Sequence, residues 1–326
     1  MSELIAPPPP RVDSMAEPLR RLAELLRAAG YRFHTVTPAT HARVLARGQR
    51  WARDLADAFG WNLPFQTTLL GAARCAELAA AAIIEAHGDG WKALLRAASV
   101  GESIVFHSAY PTVQEDAVFF GPDTYRFIAA IERTLPTLPE LVSSPARVIE
   151  IGCGSGAAAI VLARALPRAA VTAADINDHA LALTAHNARI AGVAPLRVLH
   201  SDLLKDVDGS FNLIVANPPY MLDGAARAYR HGGGGHGEGL ALAIVDAALA
   251  RLAPGGSLLL YTGAAVVRQR DQFYEAAAPR LQAAGCRWHY QELDPDVFGE
   301  ELAQPGYADV ERIAAVWLTV TMHDCV

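Results

Sequence analysis

RVIEIGCGSG, Arg147–Gly156, is the stretch on which the fold turns. A β-branched, aliphatic run of strand length enters a turn with glycines at 152, 154 and 156, and an alanine-rich helical stretch, Ala157–Leu166, follows it. Glycine lets the backbone turn tightly and approach a ligand with no side chain between, while the helix behind presents free amide groups. Outward from this unit the pattern continues as AVTAAD, the helical stretch His179–Ala191, LRVLHSD, FNLIVANPP, Leu240–Leu252 and SLLLYTG. Short aliphatic strands alternating with helices predict an α/β, doubly wound parallel sheet with helices on both faces. Such sheets bind ligands at the carboxyl ends of their strands, and the motifs considered below all fall at such ends.

A chain of 326 residues exceeds what one compact α/β unit needs, so a second, accessory domain is expected. Residues 1–13, with the run Pro7–Pro10, read as a flexible tail, and residues 14–115 as a mainly helical accessory domain. Residues 116–326 read as the α/β domain. Within the accessory domain a helix is expected around Leu19–Leu26, stopped by Gly30, then helices over about Pro38–Phe59 and Leu69–Glu85. Two strands, around Trp91–Ala97 and Ser103–His107, would close a winged-helix-like module. The stretch Leu135–Pro145, interrupted by prolines, would lead into the first strand of the sheet.

Composition excludes several classes. Hydrophobic residues make up 52% and charged ones 19%, which argues for a buried core and against wholesale disorder. The four cysteines, Cys75, Cys153, Cys286 and Cys325, have neither CxxC nor zinc-ligand spacing, so a reduced, cytoplasmic setting is expected. No run approaches the roughly 20 apolar residues of a membrane helix, and the amino terminus, with Glu3 and its prolines, has none of the regions of a signal peptide. A net charge of −6 gives no global attraction for nucleic acid, and Arg43, Arg47, Arg50 and Arg53 read as a solvated helix face. His231 and His236 flank four glycines without a third ligand nearby, so no metal is expected; that loop reads instead as a lid. Asp294, Asp296, Glu300 and Glu301 read as a solvated acidic loop, with repulsion of an anionic substrate or binding of a cationic one as their alternative role, and Tyr110, Pro111, Phe119 and Phe120 as packing residues.

The chemistry concentrates at four strand ends. Glu150, Gly152, Cys153, Gly154 and Gly156 form the first turn, whose GxGxG spacing differs from the GxGxxG of dinucleotide dehydrogenases. Asp175, with Ile176, closes the second strand about 20 residues later, where a carboxylate can accept from both ribose hydroxyls; capping of the next helix is its alternative role. Asp202, with Leu203, ends the third strand, where it could read an adenine edge or cap a turn. NPPY, Asn217–Tyr220, closes the fourth. The side-chain oxygen of Asn217 and the carbonyl of Pro218 can both accept from an NH₂ group, Pro218 and Pro219 stiffen that pair, and Tyr220 offers a ring face to a planar acceptor.

These motifs give a resemblance. Arg147–Met221 is similar to the catalytic core of class I S-adenosylmethionine-dependent methyltransferases, in the small-domain group that carries NPPY. Within that group it most resembles the HemK-type glutamine N5-methyltransferases, which modify the GGQ loop of translation release factors. DINDHALALTAHNA, GPDTYRF at Gly121–Phe127 and GHGEGLALAIVDAAL carry the likeness over residues 118–265. The resemblance implies a seven-stranded Rossmann-like domain with S-adenosylmethionine as cofactor. Gly152, Gly154, Asp175, Asp202 and Asn217 would touch that cofactor, and Asn217–Tyr220 would hold the target amide. The family's paired Pro-Arg is Gly121-Pro122 here, and ELDPDVFGEEL, Glu292–Leu302, has no counterpart. A protein glutamine is the expected acceptor, with a nucleic-acid base or a small-molecule nitrogen as alternatives; a scaffold that binds the cofactor without turnover is a further one.

Overall fold

The computed structural model describes residues 12–193, 195–223 and 229–323. They group into two compact units: residues 12–113 with 120–122 and 189–191, and the remainder. The expected tail lies outside the described residues up to position 11, and the first helix begins at Val12, earlier than the leucine spacing suggests.

The first unit contains helices α1 (Val12–Ala28), α2 (Pro38–Leu45), α3 (Leu55–Phe59) and α4 (Ala72–Ala80). In α1 the stripe Leu19, Leu22 and Leu26 is buried, as its spacing of three and four demands. The single helix expected over Pro38–Phe59 is two. Thr37 caps α2, accepting from the Thr40 amide at 3.2 Å, Gly48 breaks the chain at φ +88°, and Asp54 caps α3. Arg43, Arg47, Arg50 and Arg53 are exposed, as expected, but only Arg43 is helical. The third helix, expected to reach Glu85, stops at Ala80, and Ile84–His87 is strand β1, paired with β2 (Gly90–Ala93) across the two residues Gly88-Asp89. β3 (Leu95–Val100) pairs with β4 (Ser103–Ser108), so two hairpins stand where one was expected.

The second unit carries the α/β sheet. Its strands are β5 (Arg147–Ile151), β6 (Ala170–Asp175), β7 (Arg197–His200), β8 (Phe211–Ala216), β9 (Leu252–Val267), the two-residue β10 (Arg270–Asp271), β11 (Arg287–Asp294) and β12 (Arg312–Thr321). Seven of them lie in the order β7-β6-β5-β8-β9-β12-β11, parallel from β7 to β9, with β12 inserted antiparallel between β9 and β11; β10 pairs with the end of β9. Helices α5 (Pro122–Thr134), α6 (Pro139–Ser143), α7 (Ala157–Ala165), α8 (Asp178–Ala191), α9 (Gly239–Leu249) and α10 (Gln272–Ala283) complete the unit. The α/β, Rossmann-like expectation is met. The inner parallel strands β5, β6 and β8 are buried along nearly their whole length because helices cover both faces, whereas the edge strand β7 is only partly buried. Ile214, Leu258, Leu260, Val316 and Leu318 pack with Ile244 and Val245 of α9 and Phe273 and Leu281 of α10. On α5, the Phe127 ring lies 6.4 Å from that of Tyr261 and 6.2 Å from that of Trp317. Among the described residues no helix is long and apolar enough to cross a membrane.

Register places the site. Ile151 is level with Ala174 on one side and Ala216 on the other, so Gly152, Asp175 and Asn217 leave the sheet side by side at its carboxyl edge. Asp175 is level with His200, which brings Ser201 and Asp202 to the same edge.

Candidate active site

A cavity of about 250 Å³ opens at that edge, lined by residues of the second unit. The glycine turn forms its floor. Gly152, Gly154 and Gly156 sit at φ +69°, +53° and +75°, the left-handed region that glycine enters without a Cβ clash. Gly152, Cys153 and Gly154 line the cavity; Gly156 does not. Gly156 opens α7, and a Cβ there would lie 2.7 Å from the Thr184 side chain, so its role is close packing of the turn on α8.

Asp175 accepts from the Gly154 amide at 2.9 Å and the Asn177 amide at 3.0 Å, and it lines the cavity. Capping of α8 is done by Asn177, whose side chain accepts from the His179 amide at 2.9 Å. The Asp175 carboxylate therefore stiffens the turn and keeps lone pairs on the cavity side. Burial pushes its carboxyl up, against the Gly154, Asn177 and Ile176 amides, which lower it. Next to it Ile176, an apolar side chain 53% exposed, lines the cavity and gives a flat ring a surface. Asp202 and Leu203 line the same region; Asp202 is exposed and ion-paired with Lys205, and Leu203 is left-handed at φ +55°. Both oxygens of a carboxylate can accept, so the lysine does not exhaust Asp202.

Glu150 is 4% exposed and accepts from the Ala159 amide of α7 at 2.7 Å, satisfying one of the helix's free donors from the strand below. Burial, with Asp175 adding to it, pushes this carboxyl up to about 8 from an ordinary 4.5. Cys153 is buried, and the same cause pushes its thiol well up, so it is a neutral wall rather than a nucleophile. A testable consequence attaches to Glu150. Because its folded value lies above its unfolded one, its stability contribution is complete below about pH 4.5 and is lost as the pH rises toward 8. Between pH 6 and 8 the wild type should lose about 2 kcal/mol that Glu150→Gln keeps. Urea unfolding of both proteins at the two pH values reads this, and a wild-type-to-variant difference that does not change with pH would mean the carboxyl is ionised throughout.

Asn217, Pro218, Pro219 and Tyr220 all line the cavity. Proline has no amide to donate, so Pro218 ends β8 and turns the chain into the site. Tyr220 is 7% exposed and fixed from both ends. Its hydroxyl donates to Asp123 at 2.7 Å, and its ring lies where a Cβ on Gly263 would come to 2.1 Å. Burial first, and Asp123 second, push the phenol well up, so it stays a donor. Asp123 is itself 6% exposed and also accepts from Tyr261 at 2.8 Å and from Arg126 at 3.1 Å, and Arg126 reaches on to Asp294 at 2.9 Å. Gly263→Ala should therefore push the Tyr220 ring aside, costing about 1–3 kcal/mol by overpacking. It should lower turnover while leaving cofactor affinity within twofold; equal turnover would show that ring placement does not matter.

Several lining residues escaped the sequence reading. Asp123 lay within GPDTYRF, quoted for its likeness but not for its carboxylate. Phe119, read as a packing residue, lines the cavity with its ring nearly parallel to that of Tyr229, centroids 6.5 Å apart. The acidic stretch is solvated only in part: Asp296 and Glu300 are exposed, but Phe298 lines the cavity, Asp294 pairs with Arg126, and Glu301 is buried in an ion pair with Arg230. The loop His231–Gly239, read as a lid, is tied down. Gly232 donates to Met221 at 2.8 Å, Glu238 accepts from the Gly235 and His236 amides at 3.0 and 2.8 Å, and a Cβ on Gly237 would lie 2.0 Å from the Tyr220 carbonyl. Its glycines allow close approach to the NPPY backbone. His236 pairs with Asp309 at 3.1 Å, and the described residues contain no cluster of three or more metal-ligating side chains.

A family model for the methyltransferase small domain matches residues 132–277. A release factor glutamine methyltransferase of Bordetella pertussis is 31% identical over 245 residues, 68% of this chain and 84% of that one. The chain belongs to the small-domain methyltransferases. Among other members of this group, a release factor glutamine methyltransferase of Deinococcus radiodurans is 37% identical over 166 residues, 48% of this chain and 55% of that one. The match therefore spans about half the length of that relative. A ribosomal RNA small subunit methyltransferase C of Haemophilus influenzae is 31% identical over 125 residues, 37% of this chain and 36% of that one.

Proposed function

We propose that this small-domain methyltransferase moves a methyl group from S-adenosylmethionine to a planar nitrogen, and that the acceptor is the side-chain amide of a protein glutamine. The observation that carries this reading is the register. Asn217 stands level with Gly152 and Asp175, and with Pro218 after it offers two acceptors for an NH₂ group in the same cavity.

The residues fit the cofactor by their chemistry. Asp175 keeps acceptor capacity for a ribose diol, Ile176 offers an apolar face to a purine, Asp202 offers an acceptor to its edge, and the glycine turn admits the amino-acid end. When bound, S-adenosylmethionine supplies an electrophilic methyl group. The chain supplies placement. Accepting the two amide hydrogens at Asn217 and Pro218 pushes electron density onto the nitrogen and aims it, while Tyr220, held by Asp123, covers the face of the amide. No basic side chain is needed to take a proton before the transfer; the nitrogen gives up one of its two hydrogens to solvent once the new N–C bond has formed and the sulfur has left as a neutral thioether.

The charges at the acceptor end favour a neutral amide over a nucleic acid. Arg126 is shared by Asp123 and Asp294, and Arg230 by Asp223 and Glu301. Among the described residues these two arginines each face two carboxylates, so neither offers an unshared positive charge to a phosphate, whose neutralisation supplies most nucleic-acid affinity. Transfer of radiolabelled methyl into an extract, followed by protease, nuclease and size fractionation, tests the proposal. Protease-sensitive label that disappears with Asn217→Ala is the expected result. Nuclease-sensitive label would assign a base as acceptor, as in the name of the Haemophilus relative, and small-molecule label a metabolite.

A further inference from the structure

The connection between β11 and β12, residues 295–311, falls outside every motif that carries the family likeness, yet it reaches the site. β12 runs antiparallel to β9 with Arg312 level with Val266, so this connection lies at the same carboxyl edge as Asn217. The sheet order puts it on the far side of β8 from β5, β6 and β7, whose ends carry the turn, Asp175 and Asp202. It therefore borders the acceptor half of the cavity.

One side chain from it enters. Phe298 lines the cavity, and its ring meets that of Tyr220 edge-on, centroids 6.1 Å apart at 67°. Its backbone sits at φ +55°, where a bulky side chain is rare and glycine is the economical residue. A turn alone would be better served by glycine; the phenylalanine points to a task for the ring. Such unfavourable backbone persists where the surroundings fix it, often at functional sites. Here three ties do so. Val297 donates to Ile313 at 2.8 Å, the Tyr307 hydroxyl accepts from the Leu222 amide at 2.8 Å, and Glu301 is ion-paired with Arg230. The last two join the connection to the chain that follows NPPY.

We propose that Phe298 is an acceptor-positioning residue: its ring, carried on the tethered β11–β12 connection, closes the acceptor slot beside Tyr220 and holds the planar group against Asn217. This rests on the methyl-transfer reading above. The test compares wild type, Phe298→Gly and Phe298→Tyr. Glycine removes the ring and relieves the left-handed backbone, so the variant folds; tyrosine restores a ring of the same shape. The probe is a protein extract from cells lacking this enzyme, titrated as acceptor with saturating S-adenosylmethionine, and cofactor affinity is read separately by calorimetry. Phe298→Gly should need about ten times more extract for half-saturation, with maximal rate within threefold and cofactor Kd within twofold, and Phe298→Tyr should return to wild type. An unchanged half-saturation with only a lowered Tm would reduce the ring to a structural part and overturn the inference. A parallel loss of cofactor affinity would also overturn it, by placing the ring in the cofactor half. Wild-type enzyme that binds cofactor but labels nothing would defeat the methyl-transfer reading and this inference with it, an outcome separate from normal labelling without a Phe298 effect.

Discussion

Replacing Asn217 by alanine should lower kcat about 10²–10³-fold, the usual loss when one preorganised polar contact to the reacting group is deleted, while S-adenosylmethionine binds within threefold of wild type. The reasoning is positional. Asn217 follows the last residue of β8 and is fixed by the ladder on one side and by Pro218 and Pro219 on the other, so its side chain has little freedom to lose when the acceptor arrives. Pro218 still offers its carbonyl in the variant, which is why a residual rate is expected rather than none. Asn217→Asp keeps the acceptor oxygen and the size but adds a charge, and should fall between the two. Single-turnover transfer at saturating cofactor measures the chemical step directly. A loss below tenfold would mean that the amide is oriented by other groups, and a loss of cofactor affinity equal to the loss in rate would move Asn217 from the acceptor to the cofactor.

The part of this site legible in the sequence is the part built from strand ends. GxGxG, Asp175, Asp202 and NPPY each follow an aliphatic run, and parallel register converts that shared local position into shared space. The residues that were not legible come from elsewhere in the chain. Asp123 opens a helix 94 positions before Asn217 in the numbering, and only the hydrogen bonds from Tyr220 and Tyr261 show that its carboxylate sits beside NPPY at the cavity. Glu301 and Phe298 lie in a stretch whose acids suggest solvent, because sequence composition cannot show that one of them, Glu301, is buried against an arginine. The glycine run Gly232–Gly235 misled in the same way. Flexibility and close approach both call for glycine, and it is the Tyr220 backbone beside Gly232 and Gly237 that selects the second. In the first unit the long helix predicted over Pro38–Phe59 failed at Gly48 and Asp54, a breaker and a cap that alanine-rich surroundings concealed.

Asp175→Ala should weaken S-adenosylmethionine binding at least about 100-fold, since two hydrogen bonds to a charged group contribute about 1.5–3 kcal/mol each. The competing role is structural, because the same carboxylate accepts from Gly154 and Asn177 and shapes the turn. Stability separates the two. Deleting the carboxylate takes the acceptor from the Gly154 and Asn177 amides, a loss offset in part because burial already opposes the charge, so the unliganded variant should melt a few degrees below wild type. With cofactor the curves should part. A ligand stabilises by RT ln(1 + [L]/Kd), so at a concentration 100 times the wild-type Kd the wild type gains about 2.7 kcal/mol and the variant almost nothing. Asp175→Asn, which keeps one oxygen for the Gly154 amide but no charge for a diol, should hold the unliganded Tm and still bind about tenfold more weakly. If alanine instead lowers the unliganded Tm by ten degrees or more and leaves the cofactor-induced rise intact, Asp175 serves the turn and the diol is held by another residue.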